Sequence, residues 1–222
     1  RAAATSNLAE AFGSVESLLR ELAPEDWHRA TALPGWDVQA NAVHIFSTEA
    51  MLLGEPAPEV EVDRDALPHI RNDIGAANEA WVRGWADATP DEVLDGMRDR
   101  VARRLDAIRA MDDAAWTAEG FTPAGLDTYG RFMRIRVMDV WMHEQDIREA
   151  VGRPGHVDGP VVAMVLDDAR DGTPDVWLAD WNGKAFDDNV AVPAAAGPGA
   201  QSDPAGVLDA AAGGRPWAKY LG

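Results

Sequence analysis

Apolar residues recur at helical spacing over most of the chain, and Pro and Gly mark the points where the repeat stops. Over about residues 5–22, Leu8, Phe12, Val15, Leu18, Leu19 and Leu22 fall on one stripe that ends before Ala23-Pro24. After Leu33-Pro34-Gly35-Trp36-Asp37, whose aspartate suits an N-cap, a second helix is expected from Val38 to Leu53. Gly54 and an acidic, Pro-rich loop at 55–63 close it. A third is expected from about Ala66 to Ala88, with Ile70, Ile74, Trp81 and Trp85 apolar. Thr89-Pro90-Asp91-Glu92 then opens a fourth over 90–111, with a cap, a first-turn proline and two acids near the positive end of the helix.

Residues 112–127, with "MDDAAW" and "FTPAG", read as a loop, and a long helix follows over roughly 127–151, closed by Gly152-Arg153-Pro154-Gly155. These segments make a helical bundle over 1–155. Beyond it the pattern changes. A short helix at about 158–169 precedes two alternating runs around Asn182-Gly183, a strong hairpin signal. A flexible-looking connection at 193–200 leads to a helix capped by Ser202 or Asp203, with Pro204 in its first turn. The expected fold class is therefore mainly α, with a small α+β unit over 156–222.

Charge and composition narrow the partners. Acidic residues outnumber basic ones 38 to 20, for a net charge of −18. Nucleic-acid backbones and anionic membrane surfaces would be repelled, so any anionic ligand needs locally placed arginines. The chain holds no cysteine, so thiol chemistry would require an external thiol. No apolar run reaches the roughly 18 residues of a membrane span, and the first residues lack a signal-peptide core, so a cytoplasmic location is expected. Nine tryptophans suit well-packed helix contacts.

The candidate chemistry sits in "RVMDVWMHEQDIREAVG" (136–152). His143-Glu144 begins like a zinc-protease helix, but the second histidine of H-E-x-x-H is missing. Asp139 and His143 are four residues apart, so their side chains share a helix face and suit one divalent metal ion. His44, mid-helix among Val43, Ile45 and Phe46, is a candidate third ligand. Taken alone, such a D-x-x-x-H pair is more often a salt bridge, and a lone mid-helix histidine is more often a hydrogen-bonded core residue. Asp146 is placed to accept the second N–H of a ligating imidazole, or equally to pair with an arginine. Glu144 points about a hundred degrees away and reads as solvent-facing or pairing between helices. His28, His69 and His156 read as surface residues. There is no P-loop, no dinucleotide fingerprint and no nucleophile elbow.

"LPGWDVQANAVHIFSTEAMLLG", followed about ninety residues later by "RVMDVWMHEQDIREAVGRPG", resembles the mycothiol-dependent maleylpyruvate isomerase family within the DinB-like metalloenzymes. Pro34, Gly35, Trp36, His44, Asp139, His143, Asp146, Ile147, Arg148, Ala150 and Gly152 occupy the motif positions. The resemblance implies a DinB-like four-helix bundle in which His44, Asp139 and His143 bind a divalent metal, usually zinc. One position departs from the family's isomerase, which resembles a Glu-x-x-x-His version where this chain has Asp139. "SDPAGVLDAAAGGRPWA" is similar to part of the family's sterol-carrier-like C-terminal unit, and implies an anion-binding role for Arg215. Arg136, on the face of Asp139, is a second candidate for substrate or thiol binding, or pairs with an acidic neighbour.

The implied activity uses mycothiol as an external thiol, either for cis–trans isomerisation of a maleylpyruvate-like acid or for S-transfer to an electrophile. The alternative is a non-catalytic protein of the same fold that binds a metal and a small molecule.

Overall fold

The computed structural model describes residues 1–64, 66, 67, 70, 73–122 and 125–170, the last two by backbone alone. Four long helices form the bundle: α1 (Ala2–Arg20), α2 (Val38–Leu52), α4 (Pro90–Ala110) and α6 (Tyr129–Val151). In cross-section they form a ring, with α1 against α4 and α6, and α2 against α4 and α6. Each buries the stripe expected of it. Leu8, Phe12, Val15 and Leu19 of α1 meet Val93, Met97 and Ile108 of α4 in one core with Phe46, Val137 and Trp141. Burial of this kind contributes about 1.5–3 kcal/mol per large apolar side chain relative to exposure.

Helix α2 differs from the others in having almost no polar face. Every residue from Val38 to Ser47 is buried, including Gln39, Asn41 and His44. A helix enclosed on all sides must satisfy its polar side chains within the protein. Its start is fixed by Asp37, whose Oδ1 accepts from the Ala40 amide at 2.8 Å. The turn before it relies on Gly35 at φ 83°, a left-handed conformation that favours glycine. Trp36 is thereby folded inward and is 3% exposed.

Helix α4 opens with the capping box read from Thr89-Pro90-Asp91-Glu92: the Thr89 hydroxyl accepts from the Glu92 amide, and the Glu92 carboxylate accepts from the Thr89 amide. Helix α6 starts at the Thr128 cap and stops at Gly152, which is left-handed at φ 66°.

Three segments differ from their expectation. The third helix, expected over 66–88, is only α3 (Asp73–Gly84). Pro68 disfavours helical backbone at Leu67, so the apolar repeat begins before a helix can. Residues 24–28, not expected to be regular, form one 3-10 turn that buries Trp27. Residues 112–127, expected as a loop, contain the short helix α5 (Asp113–Thr117) and the antiparallel strands β1 (Glu119–Thr122) and β2 (Gly125–Thr128). These strands are four residues long and mostly exposed, with Phe121 opposite Leu126, so no buried face imposes an alternating pattern.

Helix α7 (Gly159–Arg170) lies in the segment assigned from sequence to the second unit. Its Val161, Val162, Met164 and Val165 join the bundle core. Asp168, 2% exposed, pairs with Arg131 at 2.9 Å and with Arg134, tying α7 to the first turns of α6. The hairpin expected around Asn182-Gly183, the helix after Ser202 and Arg215 lie outside the described residues.

Candidate metal centre

Helices α2 and α6 are neighbours in the ring, and their facing sides bring His44, Asp139 and His143 together although α2 and α6 are far apart in sequence. On α6, Arg136, Asp139 and His143 fall at i, i+3 and i+7, one stripe of the helix. Asp139 Oδ1 stands 3.5 Å from His143 Nε2 and 3.9 Å from His44 Nε2, and one ligand atom from each residue lies within 4.8 Å of the others. Donors at about 2.0–2.2 Å from a tetrahedral ion are about 3.3–3.6 Å from one another. The trio therefore needs only a small contraction to enclose one ion. Both histidine side chains are buried, whereas Asp139 is 23% exposed, so solvent reaches the cluster from its side.

Hydrogen bonds settle which histidine nitrogen carries the proton. The Asn41 amide nitrogen donates to the Asp37 carbonyl at 2.9 Å and to Thr31 Oγ1 at 3.1 Å. Its oxygen must then be the atom that meets His143 Nδ1 at 2.9 Å, and an amide oxygen can only accept. His143 is thus an Nδ1–H donor to Asn41, and its Nε2 is the ring nitrogen that faces Asp139. His44 is neutral: burial first, and the Arg136 charge second, push its pKa down from 6.5 to about 3. Two imidazoles and a carboxylate converge. The donor set suits zinc and related divalent ions, and the Asn41 bond is the outer-shell support such a ligand needs.

Trp36 backs the pair, with its ring centroid 5.1 Å from that of His44 and 6.2 Å from that of His143. Its indole N–H donates to Glu79 of α3 at 3.2 Å, which holds the ring in place. A cavity of about 460 Å³ lies beyond Trp36, lined by His28, Thr31, Leu33, Asp37, Gln39 and Val82 among others.

Not all the expected partners are where the sequence suggested. Asp146, read as the outer-shell acceptor, stands 3.8 Å from His143 Nδ1, farther than Asn41. Sequence reading missed Asn41 itself; its signal was a polar residue three positions before His44 in a helix without a polar face. Of the two readings of Arg136, anion binding or pairing with an acidic neighbour, the structure shows the pairing: the side chain is turned inward and is 2% exposed. It bonds Glu49, the Ile45 carbonyl and Asp139, because its stripe faces the buried side of α2. Burial lowers its pKa and the Glu49 carboxylate opposes that shift. His28 is exposed, 3.3 Å from Asp37. His156, expected at the surface, is instead held against the bundle by Glu144 at 2.6 Å. His69 lies outside the described residues.

Comparison with known proteins follows the same geometry. Residues 8–148 match the family model of the mycothiol maleylpyruvate isomerase N-terminal domain. Two solved structures share the fold at a TM-score of 0.55: a mycothiol-dependent maleylpyruvate isomerase at 19% identity, and a histidine-to-alanine variant of such an enzyme at 17%. In each case the match covers 75% of this chain and 68% of the other. No curated protein matches the chain.

Proposed function

The chain belongs to the mycothiol maleylpyruvate isomerase N-terminal domain family, and from that premise we propose a metal-dependent enzyme that uses mycothiol as an external thiol. The proposed ligands are His44 Nε2, His143 Nε2 and Asp139 Oδ1. What carries this reading is the convergence of two imidazoles and a carboxylate: Asn41 takes the His143 Nδ1–H, so His143 Nε2 is turned toward Asp139 Oδ1 at 3.5 Å, and His44 Nε2 lies 3.9 Å from the same oxygen. Two imidazole nitrogens and a carboxylate oxygen so placed are a donor set for a divalent cation.

When bound, a divalent ion such as zinc would act as a Lewis acid, lowering the pKa of a thiol at the site so that the thiolate is available near neutral pH. The chain's own residues have separate tasks. Asn41 orients His143, and Trp36 closes the rear of the pair against water. Arg136 and Glu49 hold Asp139 in place. No side chain of this sequence can replace the thiol, because it has no cysteine.

For a maleylpyruvate-like acid, sulfur would add to the activated double bond, with the electron pair taken up by the adjoining carbonyl system. Rotation about the resulting single bond and expulsion of the thiolate would return the thiol and release the trans acid. Retention of the adduct would instead make the protein an S-transferase. Arg215, proposed to bind a substrate carboxylate, and Asp146, proposed to support His143 behind Asn41, complete the assignment. We assign the protein to the cytoplasm, and no helix among the described residues is long and apolar enough to cross a membrane.

The test is calorimetric titration of the zinc-loaded chain with mycothiol, before and after chelation. One binding event that disappears with the metal is expected. Equal binding by the metal-free chain would contradict the proposal.

A further inference from the structure

The guanidinium of Arg136 serves two carboxylates at once. Its Nε and Nη2 face Glu49 Oε1 at 2.9 and 2.8 Å, Nη2 also donates to the Ile45 carbonyl at 3.2 Å, and Nη1 bonds Asp139 Oδ2. Glu49 is fully buried, and its other oxygen forms an ion pair with Arg104 at 3.0 Å; Arg104 is itself 3% exposed. The group is therefore fixed from three helices, α2, α4 and α6. Its planar fork leaves little freedom to the side chain of Asp139.

The two oxygens of Asp139 have different surroundings. Oδ2 lies on Arg136, while Oδ1 faces both histidine Nε2 atoms. An aspartate without such a partner can offer a cation one oxygen or two. We propose that Arg136 is a positioning residue that reserves Oδ2 and makes Asp139 a one-oxygen ligand. This rests on the metal reading given above. Glu49 is what makes an arginine tolerable beside a cation site, since its carboxylate balances the guanidinium charge at close range.

Cobalt(II) is the probe, with affinity read by chelator competition and carboxylate denticity by X-ray absorption and the d–d spectrum. In the unaltered chain, Asp139 is expected to contribute one oxygen. Arg136→Lys keeps the charge but not the fork, so it cannot hold both carboxylates. It is expected to weaken cobalt binding about 10–100-fold, as loss of outer-shell partners does, and to shift the carboxylate toward two-oxygen binding. Two-oxygen binding in the unaltered chain overturns the proposal, and so does an Arg136→Lys protein with unchanged affinity and spectrum. The first of these readings stands even where the variant does not fold. Failure of the unaltered chain to take up cobalt overturns the metal reading itself, a result distinct from both.

Discussion

His143 and Glu144 are adjacent in sequence yet belong to two buried clusters of opposite character. One residue along a helix is a turn of about 100°, so His143 faces α2 while Glu144 faces α1. Both carboxylate oxygens of Glu144 have hydrogen-bond partners. Ser14 donates to Oε1 at 2.6 Å, Arg148 Nε to the same oxygen at 2.7 Å, and His156 Nδ1 meets Oε2 at 2.6 Å. The His156 carbonyl in turn accepts from the Trp141 indole at 2.7 Å. His156 is held in a left-handed conformation at φ 54°, unusual for a residue with a side chain. That cluster fastens the segment after α6 to the bundle. Around His143 the Asn41 bond lies behind the ring, and Asp139 Oδ1 faces the two imidazole Nε2 atoms at 3.5 and 3.9 Å. Both clusters contain histidine and carboxylate, so composition does not separate them. The hydrogen bonding of the carboxylate does: both Glu144 oxygens have hydrogen-bond partners, whereas Asp139 Oδ1 faces two imidazole nitrogens at 3.5 and 3.9 Å.

The comparison breaks most sharply at the ligands. His143→Ala is expected to abolish stoichiometric metal binding, measured by elemental analysis after dialysis, while the bundle still folds. Glu144→Ala should do the reverse. Removing one partner from a buried ion pair costs about 3–5 kcal/mol, so chemical denaturation should show a large loss of stability. The folded fraction should bind metal as before. Weakened metal binding by folded Glu144→Ala protein would mean that the two clusters are one unit.

Acid sharpens the difference further. His44 is neutral in the folded chain, with its pKa pushed down to about 3, whereas an unfolded histidine takes up a proton near 6.5. The unfolded state therefore binds the extra proton as pH drops. The contribution of His44 to metal-free stability is complete above about 6.5 and falls as pH is lowered toward 3. Denaturant midpoints of the metal-free chain should decline over that window more steeply than those of His44→Gln. Parallel curves would remove the buried neutral imidazole from the account. The smallest effect is expected at Asn41. Asn41→Ala should retain the site but weaken metal binding about 10–100-fold, measured by competition with a chelator.

The same contrast explains what could be read in advance. The bundle was legible because Leu8, Phe12, Val15 and Leu19 repeat with the helix period, and because Asp37 and Thr89 announce where helices begin. The juxtaposition of His44 with Asp139 and His143 followed from the motif. Spacing alone left it open, since α2 and α6 are joined by no local signal. Asn41 and Glu49 escaped notice for a physical reason. Their importance lies in bonds to residues 102 and 87 positions away, which exist only once α2 is enclosed. Arg136 was placed on the correct face, but its partners turned it inward. His156 escaped because the turn that carries it resembles an exposed one, whereas its side chain returns to Glu144. The short strands β1 and β2 had no buried face to write a pattern into the sequence.

The most direct test of the central claim is the metal content of the unaltered chain after zinc loading and exhaustive dialysis, set beside His44→Ala/His143→Ala. The account predicts one zinc per chain in the former and none in the latter. Equal content in the two proteins, or none in either, would contradict it.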